Sequence, residues 1–308
     1  MPKGKMNINF KDCKGNLQYH LLILRFYLTA LPFLCYIDSM KCDLHIHTNC
    51  SDGIYSPQQI ITMASERGLH CVAITDHDTV AGVEVAKQTA KQLGIHCITG
   101  VELSCVDGCE VHVLGYNLDT TLPGFEQDIQ QISNMRHYRN QLIVQKLAEH
   151  GFPIDLDELC KKGSVGRGVL AREMVRLGYC QSVPEVFEKY LGVDKCCYVQ
   201  TKRLTPTEGI QFILKYGGIP VLAHPKQLHM DITQLEEFIK PLVAIGLAGM
   251  EALYFAHNSN ERKIYSKLAK KYNLIETGGS DFHDYTHGIE LGTQSFSPNG
   301  YTKKILGI

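Results

Sequence analysis

Histidines and carboxylates of the kinds that bind metal ions lie at the ends of several short apolar segments. His45 and His47 end the first segment, and because side chains alternate along a strand, both imidazoles face one side. Asp52 follows in a Ser-Asp-Gly turn. Further donors end or follow later segments: Asp76, His77, Glu102, His112, His224, Asp281 and His283. This recurrence predicts a metal site.

Taken singly, each of these residues has a simpler explanation. A lone His-x-His pair can be two hydrogen-bonded side chains on an edge strand, and Asp52 can be an ordinary turn residue. Asp76 can cap a helix, Glu102 can be a solvated loop carboxylate, and isolated histidines such as His112 are more often core residues. The shared position at one end of successive strands favours metal binding over these explanations.

Strand and helix patterns alternate from Lys41 onward. The predicted strands, about seven in two blocks, cover residues 41–46, 70–75, 95–99, 110–116, 219–223, 249–255 and 274–277. Helical patterns between them produce a β-α-β rhythm, which indicates largely parallel strands. In a parallel α/β barrel the catalytic residues collect at the C-terminal ends of the strands, where the candidate ligands lie.

The alternation stops between residues 117 and 201. The helices predicted in this segment, one long and two short, cover 125–150, 169–178 and 184–190, with no convincing strand before Tyr198. An inserted domain is the economical explanation. We therefore predict a barrel formed by residues 40–116 and 202–308, with 117–201 as an inserted helical substrate domain.

The first 39 residues differ in composition from the rest. Four lysines precede an apolar stretch over residues 21–37, which resembles a signal peptide or membrane anchor. Arg25 and Pro32 interrupt the stretch, it is shorter than the roughly 20 apolar residues that a span needs, and no small-residue cleavage site follows. We expect that residues 1–39 are an untranslated extension, that translation begins at Met40, and that the protein is cytoplasmic without stable membrane association.

Charge and cysteine content narrow the classes of partner. Lys+Arg 31 against Asp+Glu 32 gives a net charge of -1, so no overall basic field is available to bind duplex DNA through counterion release. The 12 cysteines show no regular spacing, which favours reduced thiols over a disulfide framework. Cys196-Cys197 and the Cys105/Cys109 pair are either metal ligands or plain thiols.

Six short motifs resemble those of the PHP (polymerase and histidinol phosphatase) superfamily of metallophosphoesterases. They are Asp43 to Thr48, Ser51-Asp52-Gly53, Ile74 to His77, Gly100-Val101-Glu102, Ala223-His224-Pro225 and Gly279 to His283. Gly166-Arg167 and Phe187 to Leu191 resemble the branch of nucleoside 3′,5′-bisphosphate phosphatases and a 5′-to-3′ exoribonuclease. The resemblance, from Met40 to about Gly292, implies an α/β fold: a distorted (β/α)7 barrel with an inserted small helical domain.

The resemblance also implies two or three divalent ions. One would be held by His45, His47, Glu102 and Asp281; a second by Glu102, His112 and His224; a third by Asp52, His77 and His283. Mixed histidine and carboxylate ligands suit manganese, our first choice, or iron or zinc, better than calcium. Asp76, Glu102 and His224 are the predicted catalytic residues, with Asp76 orienting a ligand histidine.

Such ions generate a bridging hydroxide at neutral pH that can attack phosphorus. We expect hydrolysis of a phosphate monoester on a small nucleotide, a nucleoside 3′,5′-bisphosphate or a 5′-monophosphate. We predict that three arginines bind a second phosphate: Arg136, Arg139 and Arg167. His257 is predicted to contact phosphate as well. Gly168-Val169 follows Arg167 where relatives often carry Pro-His, so the nucleoside contacts of those relatives are not carried over to this chain.

Three other functions stay open. The same metals could serve a 5′-to-3′ exoribonuclease on short RNA, although the chain lacks a basic stripe with interleaved aromatic residues. Histidinol-phosphate phosphatase is possible from the superfamily alone, and the nucleotide-like insert argues against it. A non-catalytic, metal-stabilised binding module would have lost ligands, and none is missing from the motifs.

Overall fold

The computed structural model describes residues 40–161, 163–285, 288–294 and 296–308. All of them fall in the compact unit Met40–Ile308, and the predictions for residues 1–39 lie outside the described residues. Within these ranges no helix has the length and apolar character needed to cross a bilayer. The ten cysteines described are all free thiols.

Seven strands form one sheet in which each strand is hydrogen-bonded to its neighbours in chain order. They are β1 Cys42–Ile46, β2 Cys71–Ile74, β3 His96–Asp107, β4 Cys109–Tyr116, β5 Ile219–Leu222, β6 Gly249–Tyr254 and β7 Ile275–Gly279. All four residues of β2 are buried. Such continuous apolar strands are typical of a parallel sheet covered on both faces.

The ends of the sheet meet and close it into a barrel. The amide of Asp281, just after β7, donates to the His45 carbonyl at 2.8 Å, and the amide of His47 donates to the Phe282 carbonyl at 3.0 Å. Gly279 allows this approach, because a Cβ on it would lie 2.4 Å from the His45 Cβ. The predicted distorted (β/α)7 barrel is thereby confirmed.

Helices cover the outside of the sheet. They are α1 Pro57–Glu66, α2 Val83–Leu93, α3 Phe125–Glu149, α4 Leu156–Cys160, α5 Arg167–Arg176, α6 Val183–Val186, α7 Pro206–Lys215, α8 Ile232–Ala244, α9 Ser259–Lys271 and α10 Gly300–Leu306. A π-helical turn, Phe187–Leu191, continues α6, and a 3-10 turn, Pro225–Leu228, follows β5. Capping boxes fix the starts of α1, α7, α8 and α9.

The apolar core is distributed inside and outside the barrel. Buried residues from six strands meet in one cluster that fills the interior: Leu44, Ala73, Ile98, Leu114, Val221 and Ile275. A larger cluster joins β3 to β6 with the start of α3 and with α7, α8 and α9. This packing leaves the polar ends of the strands as the place for chemistry.

The predicted insert, 117–201, contains α3 to α6 and a core of its own. That core runs from Ile143 to Val199 and draws on no strand. The first half of α3 instead packs on the barrel through Phe125, Ile129 and Ile132. The helix thus links the two cores, and the division into a barrel and a substrate domain stays a prediction.

The main departure from the predicted fold is β4. Four of the six strand pairings are parallel, as expected, but β4 is antiparallel to both β3 and β5. The third strand extends beyond the predicted 95–99 to Asp107 and turns back through Gly108, whose φ of 66° is accessible to glycine. No strand lies at Tyr198, where the chain is irregular instead.

Candidate active site

Glu102, near the middle of β3, lies at the centre of the histidine cluster, with its carboxylate buried. Its Oε2 atom is 3.3 Å from His45 Nε2, 3.1 Å from His47 Nε2 and 3.1 Å from His77 Nδ1. None of these three nitrogens has a hydrogen-bond partner among the described residues. Buried nitrogens that converge on a carboxylate without bonding to it fit ligands of a shared cation.

The other oxygen of Glu102 faces a second set of rings. Its Oε1 atom is 2.8 Å from His112 Nδ1 and 3.0 Å from His224 Nε2. His112 comes from β4, whose antiparallel course brings it opposite Ser104 on β3. The two oxygens therefore serve two separate groups of histidines, an arrangement that supports Glu102 as a bridge between ions.

Asp281 completes the first predicted ligand set. Its Oδ1 atom is 3.1 Å from His47 Nε2 and 3.4 Å from His45 Nε2. The donor atoms of His45, His47, Glu102 and Asp281 all lie within 4.8 Å of one another. The structure thus brings together the four residues that the family resemblance implies for one ion.

The other two sets come together with different neighbours. His283 Nε2 is 3.1 Å from Asp52 Oδ1, and these residues group with His77 and also with His47. For the remaining set, His77 groups with Glu102 and His112. The family resemblance also implies His224 as a ligand of this ion, and His224 reaches the group through its contact with Glu102. His47 and His77 therefore each belong to two of these groups, although the family resemblance assigns each of them to a single ion.

The electrostatics of the cluster are those of carboxylates buried among imidazoles. Burial alone would raise the pKa of Glu102, but His77, His112 and His45 lower it well below its ordinary value. Burial lowers the pKa of His77 to about 3, which keeps its ring neutral. Burial also opposes charge on His47, yet the carboxylates of Asp281 and Glu102 that face its ring raise its pKa to about 10. A metal ion must displace that proton.

Glu251, in the middle of β6, orients two of the candidate ligands and was not predicted from the sequence. Its Oε1 atom is 3.2 Å from His45 Nδ1, and its Oε2 atom accepts the His224 amide at 2.8 Å. A carboxylate on the far nitrogen of a ligand histidine fixes its tautomer. A charged residue inside the otherwise apolar strand Gly249–Tyr254 is the signal that could have revealed it.

Asp76 supports the loop that follows β1, and its predicted catalytic role stays a prediction. It accepts hydrogen bonds from the Thr48 amide and hydroxyl, both at 2.7 Å, and from Ser51 Oγ at 2.5 Å. Ser51 Oγ is in turn 3.5 Å from His47 Nδ1. Asp76 therefore fixes the loop that leads from His47 to Asp52, and it reaches the ligand histidine only through Ser51.

Three backbone positions at the site adopt the left-handed region. The φ angles are 22° at His224, 52° at Asp281 and 55° at Asp78. Such conformations cost of order 1–3 kcal/mol for non-glycine residues and cluster at functional sites. At His224 the Glu251 hydrogen bond helps to hold the backbone, and at Asp281 the Tyr254 hydroxyl donates to Oδ2 at 3.0 Å.

Three arginines surround Glu110, which lies two residues before His112 on β4. Arg203 Nη1 is 2.6 Å and Arg139 Nη1 is 3.8 Å from Glu110 Oε1, and Arg167 pairs with Oε2. Burial and the charges of Arg167 and Arg203 lower the pKa of Arg139 to about 9. The sequence identified Arg139 and Arg167. The i, i+2 spacing to His112 could have revealed Glu110, whereas Arg203 carries no comparable signal.

The remaining predicted substrate residues lie elsewhere. Arg136 donates from Nε to Asp78 at 2.7 Å and from Nη2 to Ser104 at 2.5 Å, so it does not join the group around Glu110. His257 is buried, with Nδ1 3.0 Å from the Ala252 carbonyl and its ring against Tyr254. Their contacts with substrate stay predictions.

A cavity of about 660 Å³ extends from Arg167 to the histidine cluster. Glu110, Arg167, His112 and His224 line it together with Tyr198. The Arg167 guanidinium lies 5.7 Å from the centre of the Tyr198 ring and 5.8 Å from that of Phe187. A ligand in this cavity would contact Arg167 and the histidines at once.

Comparison with known proteins places the chain in a family. The sequence matches the PHP domain over residues 43–189. It is 34% identical over 255 residues to a 5′-3′ exoribonuclease of Haemophilus influenzae, covering 82% of this chain and 93% of that protein. It is 30% identical over 246 residues to a 3′,5′-nucleoside bisphosphate phosphatase of Chromobacterium violaceum, covering 78% and 86%. The chain belongs to the PHP domain family.

A solved structure agrees with this assignment. A Bifidobacterium adolescentis protein assigned as a metal-dependent phosphoesterase superposes with a TM-score of 0.76 at 27% identity, over 86% of this chain and 95% of that one. The fold, the buried ligand cluster and these relatives together define a metal-dependent phosphoric ester hydrolase.

Proposed function

We propose that the chain removes a phosphate from a nucleotide that carries a second phosphate group, with a nucleoside 3′,5′-bisphosphate as the first candidate. The observation that carries this proposal is the set of arginines around Glu110, of which Arg167 lines the cavity that also reaches His112 and His224. One phosphate of a small molecule would bind at the arginines, and a phosphate at its other end would lie beside His112 and His224.

The charge balance favours an anion at the arginines. Three guanidinium groups share the single carboxylate of Glu110, which leaves an excess of positive charge. Two buried nitrogens of Arg139, Nε and Nη2, have no hydrogen-bond partner in the described part of the chain. A guanidinium grips phosphate through two parallel hydrogen bonds. Arg167 lines the cavity and would make the direct contact, with Arg139 and Arg203 behind Glu110.

The histidine and carboxylate cluster would hold two or three divalent ions, manganese before iron or zinc. Bound there, such ions would supply a hydroxide at neutral pH and offset the charge of the phosphate. The protein's own part is positioning. Glu251 fixes the imidazole ring of His45 and the backbone of His224, and Asp76 holds the loop before Asp52. Glu102, between both histidine groups, aligns them.

A 5′-to-3′ exoribonuclease is the second candidate, and a second cavity favours it. This cavity of about 620 Å³ begins at Asp52 and Gly53 and continues to Arg172 and Arg176 on α5. It would accommodate further nucleotides of a short RNA beside the metal cluster, with arginines along the backbone. The 34% identical relative carries this activity in its name. Exclusion of duplex DNA and a cytoplasmic location stay predictions.

The test measures phosphate or nucleotide release by the manganese-loaded protein. The substrates are adenosine 3′,5′-bisphosphate, AMP, histidinol phosphate and a 5′-phosphorylated RNA tetramer, with Asp281→Ala as the inactive control. We expect the bisphosphate to have the highest kcat/KM. Preference for the tetramer would transfer the assignment to the exoribonuclease, and preference for histidinol phosphate would refute a nucleotide substrate.

Two arginine variants sharpen the distinction. Arg167→Ala should raise KM for the bisphosphate and leave AMP, with one phosphate, nearly unchanged. Arg176→Ala lies in the second cavity and should impair only the RNA tetramer. Equal losses on the bisphosphate and AMP in Arg167→Ala would contradict the proposed second phosphate site. If no substrate is hydrolysed, the result would favour a non-catalytic, metal-stabilised binding module.

A further inference from the structure

A second group of metal-binding side chains lies in the helical segment and takes no part in the proposed hydrolysis. His150 directly follows α3, and Cys196 and Cys197 lie in the turns after the π-helical segment. One donor atom from each residue lies within 4.8 Å of the other two. We propose that these three residues form a binding site for a zinc-class divalent ion.

The spacing of the two thiols fits a shared ion. Cys196 Sγ and Cys197 Sγ are 3.7 Å apart, and both cysteines are free. Two thiolates bound to one tetrahedral zinc at about 2.3 Å lie about 3.8 Å apart. The backbone already holds this arrangement, because the Cys197 amide donates to the Tyr190 carbonyl at 3.0 Å. An ion would bind without rearranging the turn.

A backbone contact also orients His150 for metal binding. His150 Nδ1 lies 2.8 Å from the Lys146 carbonyl oxygen, one helical turn earlier. When Nδ1 donates to that carbonyl, the lone pair on Nε2 is the one that can bind an ion. Metal-binding histidines commonly have this backbone partner. Two cysteines and a histidine leave the fourth position of a tetrahedral ion to water.

The protonation of Cys197 links metal binding at this site to pH. Burial and the neighbouring Cys196 thiol raise the pKa of Cys197 to about 12, so it keeps its proton at neutral pH. A thiol must lose its proton to bind a metal ion, as it must to react as a nucleophile. An ion can displace the thiol proton as it binds, which makes binding dependent on pH.

The site would connect α3 to the wall of the substrate cavity. Lys146 Nζ donates to the Tyr198 carbonyl at 3.0 Å, and the Tyr198 ring lies against Arg167. Val193 and Asp194, in the same turns, also line the 660 Å³ cavity. An ion at Cys196 and Cys197 would therefore fix the turns that position Tyr198. This consequence for substrate rests on the proposed function, whereas binding of the ion does not.

Cobalt(II) titration of the full chain, stripped of metal by a chelator, tests the site. Thiolate ligands give Co²⁺ a charge-transfer absorption, and the candidate ligands of the hydrolase centre include no cysteine. We expect a saturable absorption that disappears in Cys196→Ser/Cys197→Ser. His150→Ala should weaken binding by roughly tenfold or more. Cys160→Ser, which changes a thiol elsewhere in the helical segment, should bind like the parent protein.

Several outcomes would overturn the proposal: no charge-transfer absorption, absorption that persists in the double variant, or unchanged affinity in His150→Ala. Because Cys197 is buried, the single variant Cys196→Ser, at an exposed thiol, guards against misfolding as the cause of a loss. The absorption is measured without substrate, so its result is independent of the hydrolase assay. If both proposals hold, Cys196→Ser should raise KM for the bisphosphate and leave kcat nearly unchanged.

Discussion

Replacing Glu251 with glutamine tests whether one residue outside the ligand set controls the metal centre. Glu251 accepts hydrogen bonds through both oxygens, from His45 Nδ1 at 3.2 Å and from the His224 amide at 2.8 Å. Glutamine keeps one acceptor oxygen. If that oxygen stays with His224, its NH₂ group faces His45 Nδ1. The ring must then carry its proton on Nε2, the atom that lies within the ligand cluster.

The expected cost follows from these contacts. Loss of an orienting partner typically reduces metal affinity or activity 10–100-fold, about 1.4–2.8 kcal/mol. Because Glu251 serves two candidate ligands, we expect Glu251→Gln to weaken Mn²⁺ binding by roughly 30-fold or more within that range. A smaller effect on substrate KM is expected at saturating Mn²⁺, since no substrate contact is removed.

The assay is Mn²⁺ competition against a fluorescent chelator, followed by activity over a range of Mn²⁺ concentrations. Glu276→Gln is the matched control, a glutamate on the neighbouring strand β7 whose carboxylate accepts from Ser266 Oγ at 2.5 Å. Parental affinity in Glu251→Gln would refute the positioning role. A loss of activity that excess Mn²⁺ does not restore would also refute it, because misplacement of a ligand weakens metal binding first.

Three further predictions follow from single contacts. Since His47, with a raised pKa of about 10, must lose a proton to bind metal, Mn²⁺ affinity should increase as pH rises from 6 toward 10, measured by calorimetry. Gly279→Ala places a Cβ 2.4 Å from the His45 Cβ and 2.5 Å from the His45 backbone nitrogen, and it should destabilise the protein by roughly 1–3 kcal/mol in urea unfolding; Gly300→Ala, with open space around it, should not. Tyr254→Phe removes the hydroxyl that donates to Asp281 and should weaken Mn²⁺ binding about tenfold in the chelator assay, with the fold unchanged by circular dichroism.

Sequence reasoning succeeded where local pattern determines position. Alternation along β1 places His45 and His47, and the ends of successive strands place His77, His224 and Asp281 near one another. Predicting the positions of these residues requires no knowledge of distant contacts beyond the rule that parallel strands end at one edge. The approximate position of these ligands was therefore accessible from local pattern, whereas the barrel and the division of the ligands into sets came from the family resemblance.

Residues that act through tertiary contacts were harder to find. Glu251 lies in the interior of a strand and meets His45 only because the barrel closes β7 against β1. Arg203, just after the helical segment, reaches Glu110 across 93 residues of sequence. Arg136 and Arg139 have identical residue types three positions apart on α3, yet only Arg139 faces Glu110. Helix rotation, which residue type does not determine, decides between them.

The charge of the buried cluster explains why metal binding and protonation are linked here. Asp52, Glu102 and Asp281 have lowered pKa values and stay ionised among the imidazoles, so burial of their charge requires positive partners. The raised pKa values of His45 and His47 show that imidazolium protons can fill that need. Divalent ions would replace those protons and bring more charge. Metal release should therefore be coupled to proton uptake by these same histidines.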